Sequence, residues 1–179
     1  QSFSPLSLAA VVGSKHDLSQ GGGQQVCIFC HTPHNANTDG GDAAPAPLWN
    51  RKLDNISGFT PYTSPTMNAT CDATPSPSSL ACLSCHDGVG GGAVSTSTHS
   101  LINPGITSSG APRCTGCHPG GSYPGQAWQI GPDLRNDHPV SVTYPAGGTN
   151  PGFNTPPDPL KGWSNVRLYN GKVECATCH

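Results

Sequence analysis

The sequence predicts a fold with few secondary structures, in which a loop-rich chain carries short helices and minor strands. The chain has 23 glycines and 19 prolines, and only 34% of its 179 residues are hydrophobic. Glycine and proline at this level favour turns and irregular backbone. So few apolar side chains also cannot bury a large core of their own. At this length we expect a single domain over residues 1–179.

One short pattern, Cys-x-x-Cys-His, occurs four times along the chain. Its copies are Cys27, Cys30 and His31; Cys82, Cys85 and His86; Cys114, Cys117 and His118; and Cys175, Cys178 and His179. The pattern is typical of covalent c-type haem attachment, in which two thiols bond to the porphyrin and the adjacent histidine binds the iron. We therefore expect four haem c groups, numbered here in motif order, with a short helical turn at each motif. Loops would wrap around the haem stack, which supplies the missing apolar interior, so folding should depend on the haems.

Two other uses of paired cysteines fit the sequence less well. A zinc ribbon would explain Cys-x-x-Cys pairs, because two such pairs make one tetrahedral site. It would not explain a histidine after every pair. A disulfide framework fails for the same reason and also leaves one of the nine cysteines unpaired.

Four histidines remain after the four proximal ligands: His16, His34, His99 and His138. Four irons need four distal ligands, so the count favours bis-histidine ligation throughout. Met67 is the only methionine, so at most one iron could take a methionine instead. Such irons are closed by two protein ligands, so they transfer electrons and offer no open position to a substrate. We therefore expect a protein that is not an enzyme.

The position of two of these histidines suggests how they are used. His16 lies in Ser14–Ser19, a segment expected to form a turn or short helix from which it reaches a haem. His34 follows His31 by three residues. The porphyrin lies between His34 and the iron bound by His31, so we expect His34 to face a different haem.

The long connections between the motifs carry weaker signals. In the first connection, 35–81, we expect four residues to pack on haem: Trp49, Leu53, Phe59 and Tyr62. The segment 140–144 is the most strand-like part of the chain, and 172–175 is expected to form a short ribbon near the last motif, with 166–169 as one candidate partner. Cys71 is assigned to no haem, and is either a buried free thiol that behaves as a small hydrophobic residue or one half of an intermolecular disulfide.

Charge and hydropathy exclude some partners. Eight Lys and Arg residues face ten Asp and Glu residues, with no basic stripe, so no nucleic acid is expected. No apolar run has the length of a membrane span. The sequence starts at Gln1, so we expect a mature chain after removal of a signal peptide. The expected location is extracellular or at the cell surface, with the periplasm as the alternative.

The last motif stands at the end of the sequence, at His179. No residue follows it, so we expect haem 4 to be left bare by its own chain and covered by a second copy. A head-to-tail contact of this kind that does not close generates a helical filament.

The four motifs, the Cys-x-x-Cys-His-Thr-Pro-His opening and the upstream Lys15-His16-Asp17 resemble the extracellular cytochrome nanowires. These are polymerised multihaem cytochromes of metal-reducing bacteria and some archaea. The resemblance implies bis-histidine haems in alternating parallel and T-shaped stacks, with one iron ligated by a histidine of the adjacent subunit. By this resemblance His34 crosses to haem 4 of the adjacent subunit. His16, His99 and His138 then serve haems 1–3 within the chain.

These features predict electron transfer through four haems, as a homo-oligomeric filament that passes electrons to extracellular acceptors or other redox proteins. A monomeric periplasmic tetrahaem shuttle is the main alternative. A multihaem reductase of a nitrogen or sulfur oxyanion is a third, and it would need a five-coordinate iron.

Overall fold

The computed structural model describes six stretches of the chain: 11–17, 26–37, 48–50, 58–86, 130–145 and 152–179. These contain helix α1 (Pro77–His86), helix α2 (Cys175–Cys178), and the strands β1 (Val142–Thr143) and β2 (Lys172–Val173). Two 3₁₀ turns, Val26–Phe29 and Leu134–Asn136, complete the regular elements described. The prediction of a loop-rich fold with short helices and minor strands is confirmed for this part of the chain.

Helix α1 is the longest regular element, and its ends follow from its sequence. Pro77 stands in the first turn, where a missing backbone N–H costs nothing. The carbonyl of Ser76, just before it, accepts hydrogen bonds from the backbone N–H groups of Ser79 (3.0 Å) and Leu80 (2.9 Å). Within the helix no further proline or glycine interrupts the backbone. The helix ends at His86, two residues before Gly88 in the sequence.

A small apolar cluster anchors α1 to the rest of the chain. Leu80 and Leu83 lie three residues apart, so they share one helix face. That face is buried against Phe59 and Leu134. Two backbone hydrogen bonds hold the same arrangement. The Thr60 N–H donates to the Pro132 carbonyl (2.9 Å), and the Leu134 N–H donates to the Thr60 carbonyl (2.9 Å).

The two strands form an antiparallel pair in which Val142 faces Val173 and Thr143 faces Lys172. On the other side of β1, the backbone of 70–72 adds hydrogen bonds, and an ion pair joins Lys172 to Asp72 across the pair. The expected ribbon at 172–175 is therefore present over Lys172–Val173, and its partner is β1. The segment 166–169 meets it only through a single bridge, from Tyr169 to Lys172.

The turn over 158–162, which comes before β2 in the sequence, depends on Gly162. This residue has a φ of +82°, and a Cβ added there would lie 2.5 Å from the Val166 carbonyl oxygen. The turn is held by hydrogen bonds from the Gly162 N–H to the Asp158 carbonyl (2.7 Å) and from the Trp163 N–H to the Val166 carbonyl (2.8 Å). Only glycine adopts this positive φ without strain and, because it has no Cβ, also avoids a clash with the Val166 carbonyl oxygen.

Leu134→Ala should destabilise the protein by about 2–5 kcal/mol, because it opens a cavity in the cluster that seats α1. Leu134 is 2% exposed, whereas Leu160 is 60% exposed. Leu160→Ala is therefore the matched control, with an expected change within about 0.5 kcal/mol. Chemical unfolding followed by circular dichroism measures both. Equal effects of the two variants would contradict the packing described.

Candidate haem-binding sites

The second motif lies on the last turn of α1. Cys82 and Cys85 are three residues apart on a helix, so both thiols project from the same side. Cys82 is half-buried and Cys85 is exposed, while Leu83 and Ser84 between them are buried. The helix thus buries the two residues inside the motif and leaves the Cys85 thiol exposed.

The fourth motif forms α2 itself. Thr177 closes the first turn, because its hydroxyl accepts a hydrogen bond from the Glu174 N–H (2.9 Å) and its own N–H donates to the Glu174 carbonyl (2.9 Å). Cys175 is buried, whereas Cys178 and His179 are exposed. The short helical turn expected at this motif is present.

The first motif is a 3₁₀ turn that continues into His31, whose N–H donates to the Cys27 carbonyl at 2.8 Å. The 48–50 segment is paired with it. The Asn50 N–H donates to the Cys30 carbonyl (2.8 Å), and the ring of Trp49 lies edge-on to that of His31, with centroids 5.8 Å apart. Trp49, expected to pack on haem, therefore contacts the proximal histidine of the first motif.

Parts of the predicted site lie outside the described residues. They are the whole third motif, with Cys114, Cys117 and His118, and the distal candidate His99. Leu53, expected to pack on haem, lies outside them too.

Two of the spare histidines lie beside proximal histidines of distant motifs. The ring centroids of His16 and His86 are 6.1 Å apart, with an interplanar angle of 71°. Those of His138 and His179 are 5.9 Å apart, at 23°. A bond from a metal to an imidazole nitrogen is about 2 Å long, so two imidazoles on opposite sides of one ion have centroids about 6 Å apart. Both pairs therefore have the separation that one iron between them would require.

The backbone around His16 and His138 supports this placement. His16 lies in a turn closed by hydrogen bonds from the Ser14 N–H to the Val11 carbonyl (3.0 Å) and from the Asp17 N–H to the Ser14 carbonyl (3.1 Å). The turn expected there is therefore present over 14–17. His138 Nδ1 lies 3.3 Å from the Pro139 carbonyl oxygen. A histidine that donates its Nδ1–H to a carbonyl keeps Nε2 for a metal.

His34 is exposed, and its carbonyl accepts a hydrogen bond from the Thr32 hydroxyl at 2.9 Å. The sequence predicts that His34 serves haem 4 of an adjacent subunit, with His138 assigned among haems 1–3. In the structure the imidazole stacked beside His179 belongs to His138 of the same chain.

One cysteine of the second motif meets one of the fourth motif where α1 packs on α2. Cys82 and Cys175 are hydrogen-bonded to each other. This hydrogen bond, reinforced by one from Ser79, lowers the pKa of the Cys175 thiol to about 6 despite its burial. The same hydrogen bond, together with burial, raises the pKa of Cys82. In a haem-loaded chain both sulfurs would be thioethers, so the contact marks the two attachment positions as neighbours.

Sequence reasoning missed the group that holds these two helices together. Glu174 is buried, and its Oε2 accepts hydrogen bonds from the hydroxyls of Ser79 on α1 (2.5 Å) and Ser141 beside β1 (2.8 Å). A signal was available in the sequence. Glu174 is the only glutamate of the chain, and it directly precedes an attachment cysteine.

Cys71, the cysteine outside the motifs, lies at the bridge between 70–72 and β1. It is partly buried and forms no disulfide in the structure. Burial, followed by the neighbouring Asp72 carboxylate, raises the pKa of its thiol. A raised pKa disfavours the reactive thiolate at neutral pH.

No protein-family model matches the chain, and no curated protein matches it. Within the described stretches, no helix is long and apolar enough to cross a membrane. No three His, Cys, Asp or Glu side chains of those stretches gather into a group that could hold a metal ion by themselves. A haem iron takes two axial ligands in addition to the porphyrin nitrogens, and the two histidine pairs fit that requirement.

In haem-free protein that retains its helices by circular dichroism, alkylation of Cys175 by iodoacetamide should reach half its maximal rate near pH 6, because only the thiolate reacts. Cys82→Ala removes the hydrogen bond that contributes most to this pKa, so the midpoint should move upward towards that of an ordinary cysteine. Peptide mass spectrometry over a pH series follows the modification. Cys71→Ala is the control and should leave the midpoint in place; an unmoved midpoint in Cys82→Ala would contradict the thiol contact.

Proposed function

We propose that this chain is a tetrahaem c-type cytochrome that transfers electrons. The observation that carries the proposal is the pairing of His16 with His86 and of His138 with His179, at 6.1 and 5.9 Å between ring centroids. Each pair joins a spare histidine to the histidine of an attachment motif. Four Cys-x-x-Cys-His motifs and four spare histidines extend the same pattern to four haems.

Haem iron, when bound, supplies one-electron redox chemistry. The thiols of each motif would tether the porphyrin, and the motif histidine would supply one ligand to the iron. His16 and His138 would supply the second histidine ligand to haems 2 and 4. Two histidine ligands on each iron would leave an oxyanion no position at which to bind, which favours an electron carrier over a reductase.

The packing of α1 against α2 gives the electron a route between two of these groups. Ser79 accepts a hydrogen bond from the Cys175 N–H at 3.1 Å and donates one to Glu174. The attachment cysteines Cys82 and Cys175 are therefore neighbours in space, although haem 3 separates their motifs in the sequence. We propose that haems 2 and 4 exchange electrons directly.

His138→Ala should leave four haems covalently bound and convert one iron from low spin to high spin, because one axial ligand is lost. Mass spectrometry counts the haems, and electron paramagnetic resonance reports the spin state. Asn136→Ala, an exposed neighbour on the same segment, should keep all irons low-spin. A wild-type protein without haem would refute the proposed function, and a high-spin haem in it would favour a reductase.

We also propose that the cytochrome polymerises into an extracellular filament. The support is the Cys-His-x-x-His opening with an exposed His34, together with the resemblance of the sequence to cytochrome nanowires. Since His138 lies beside His179, haem 4 has a candidate ligand within its own chain. The proposed crossing of His34 is therefore to haem 1 or haem 3 of the adjacent subunit.

His34→Ala should retain all four haems, lose the filaments and convert one iron to high spin. Negative-stain microscopy and size-exclusion chromatography of native and variant protein measure assembly. Asn35→Gly, at the adjacent exposed position, is the control and should assemble normally, because glycine accepts the φ of +50° found there. Intact filaments in His34→Ala would refute the crossing ligand. A discrete globule in the native protein would favour the monomeric periplasmic shuttle.

A further inference from the structure

Glu174 places a carboxylate in the interior of the protein. The residue is 2% exposed. Its Oε2 accepts two hydroxyl hydrogen bonds, from Ser79 and Ser141, whereas its Oε1 is buried and meets no hydrogen-bond donor in the described part of the chain. A buried carboxylate with one oxygen left unsatisfied is costly to retain, so a role beyond joining two helices is expected of it.

The carboxylate lies beside the attachment positions of two haems. Glu174 directly precedes Cys175, and Ser79, its partner on α1, lies one turn before Cys82. The Ser79 hydroxyl links the carboxylate to both positions, because it donates to Glu174 Oε2 and accepts a hydrogen bond from the Cys175 N–H at 3.1 Å. One charge therefore lies close to the second and the fourth motif.

We propose that Glu174 lowers the reduction potentials of haems 2 and 4 together. The inference rests on the proposed function, since it requires haem at the second and fourth motifs. Reduction adds one electron to each ferric iron from an external donor and breaks no bond. A fixed negative charge nearby opposes that addition, and it does so strongly where water does not screen it. Burial removes Glu174 from such screening.

The test is a potentiometric titration of the haem-loaded protein with Glu174→Gln. Glutamine keeps an oxygen that can accept the two hydroxyl hydrogen bonds but removes the charge. Two of the four haems should become easier to reduce, each by about tenfold in its reduction equilibrium, which is about 59 mV for one electron. The other two should stay unchanged. Four unchanged potentials, or four equal shifts, would overturn the inference.

Asp158→Asn is the matched control. It also removes one carboxylate charge, and an asparagine oxygen can still accept from the N–H groups of Leu160 and Lys161 as Asp158 does. This side chain is about half exposed, so water screens its charge. All four potentials should remain in place in this variant. A paired shift equal to that of Glu174→Gln would show that burial of the charge is irrelevant and would overturn the inference.

Ser79→Ala gives a second test and decides the matter if Glu174→Gln does not fold. It removes a hydrogen bond that stabilises the charged carboxylate, so Glu174 takes up a proton more readily and the potentials of the same two haems should rise. A fall, or no change, would contradict the inference. Haem content separates this result from the larger proposal: a chain without haem refutes the cytochrome, whereas a loaded chain without the paired shift refutes only the role of Glu174.

Discussion

The described structure depends on one buried carboxylate. Glu174 joins α1, α2 and the start of β1 through the hydroxyls of Ser79 and Ser141, elements that are far apart in the sequence. Ser141 also accepts a hydrogen bond from the Ser76 N–H at 2.7 Å, at the start of α1. The two hydroxyl hydrogen bonds to Oε2 offset part of the cost of burying this carboxylate, and they link the three serines to Glu174.

This polar junction matters because the apolar core is small. Within the described stretches the buried hydrophobic cluster around α1 has four members: Phe59, Leu80, Leu83 and Leu134. A chain of this length with so modest a core needs other sources of stability. Covalently attached haems would supply both apolar area and cross-links, which accounts for a sequence rich in glycine and proline that nevertheless forms defined helices at its motifs.

The two histidine pairs connect the fold to the proposed function. His16 comes from an N-terminal turn, His138 from the segment before β1, and each approaches the histidine of an attachment motif far along the chain. The positioning of His138 follows from the backbone, because the 3₁₀ turn Leu134–Asn136 is anchored in the core by Leu134. A rigid approach of this kind suits an electron carrier, whose ligands should move little between oxidation states. In the proposed filament, His34 would supply a ligand of the same kind from one chain to the next.

The local features could be predicted from the sequence. They are the four Cys-x-x-Cys-His motifs, the helical turns at the first, second and fourth of them, the four histidines outside the motifs, and the turn at His16. Each depends on residues within a few positions of one another, so a short pattern contains the necessary information. The tertiary structure alone decided which distant groups meet. In the structure His138 lies beside His179, β1 is the partner of Lys172–Val173, and Cys82 contacts Cys175. The structure also buries Glu174, which the sequence marked only as a solitary glutamate. These contacts join residues that are far apart in the sequence, and a local pattern carries no information about which distant residues will pack together.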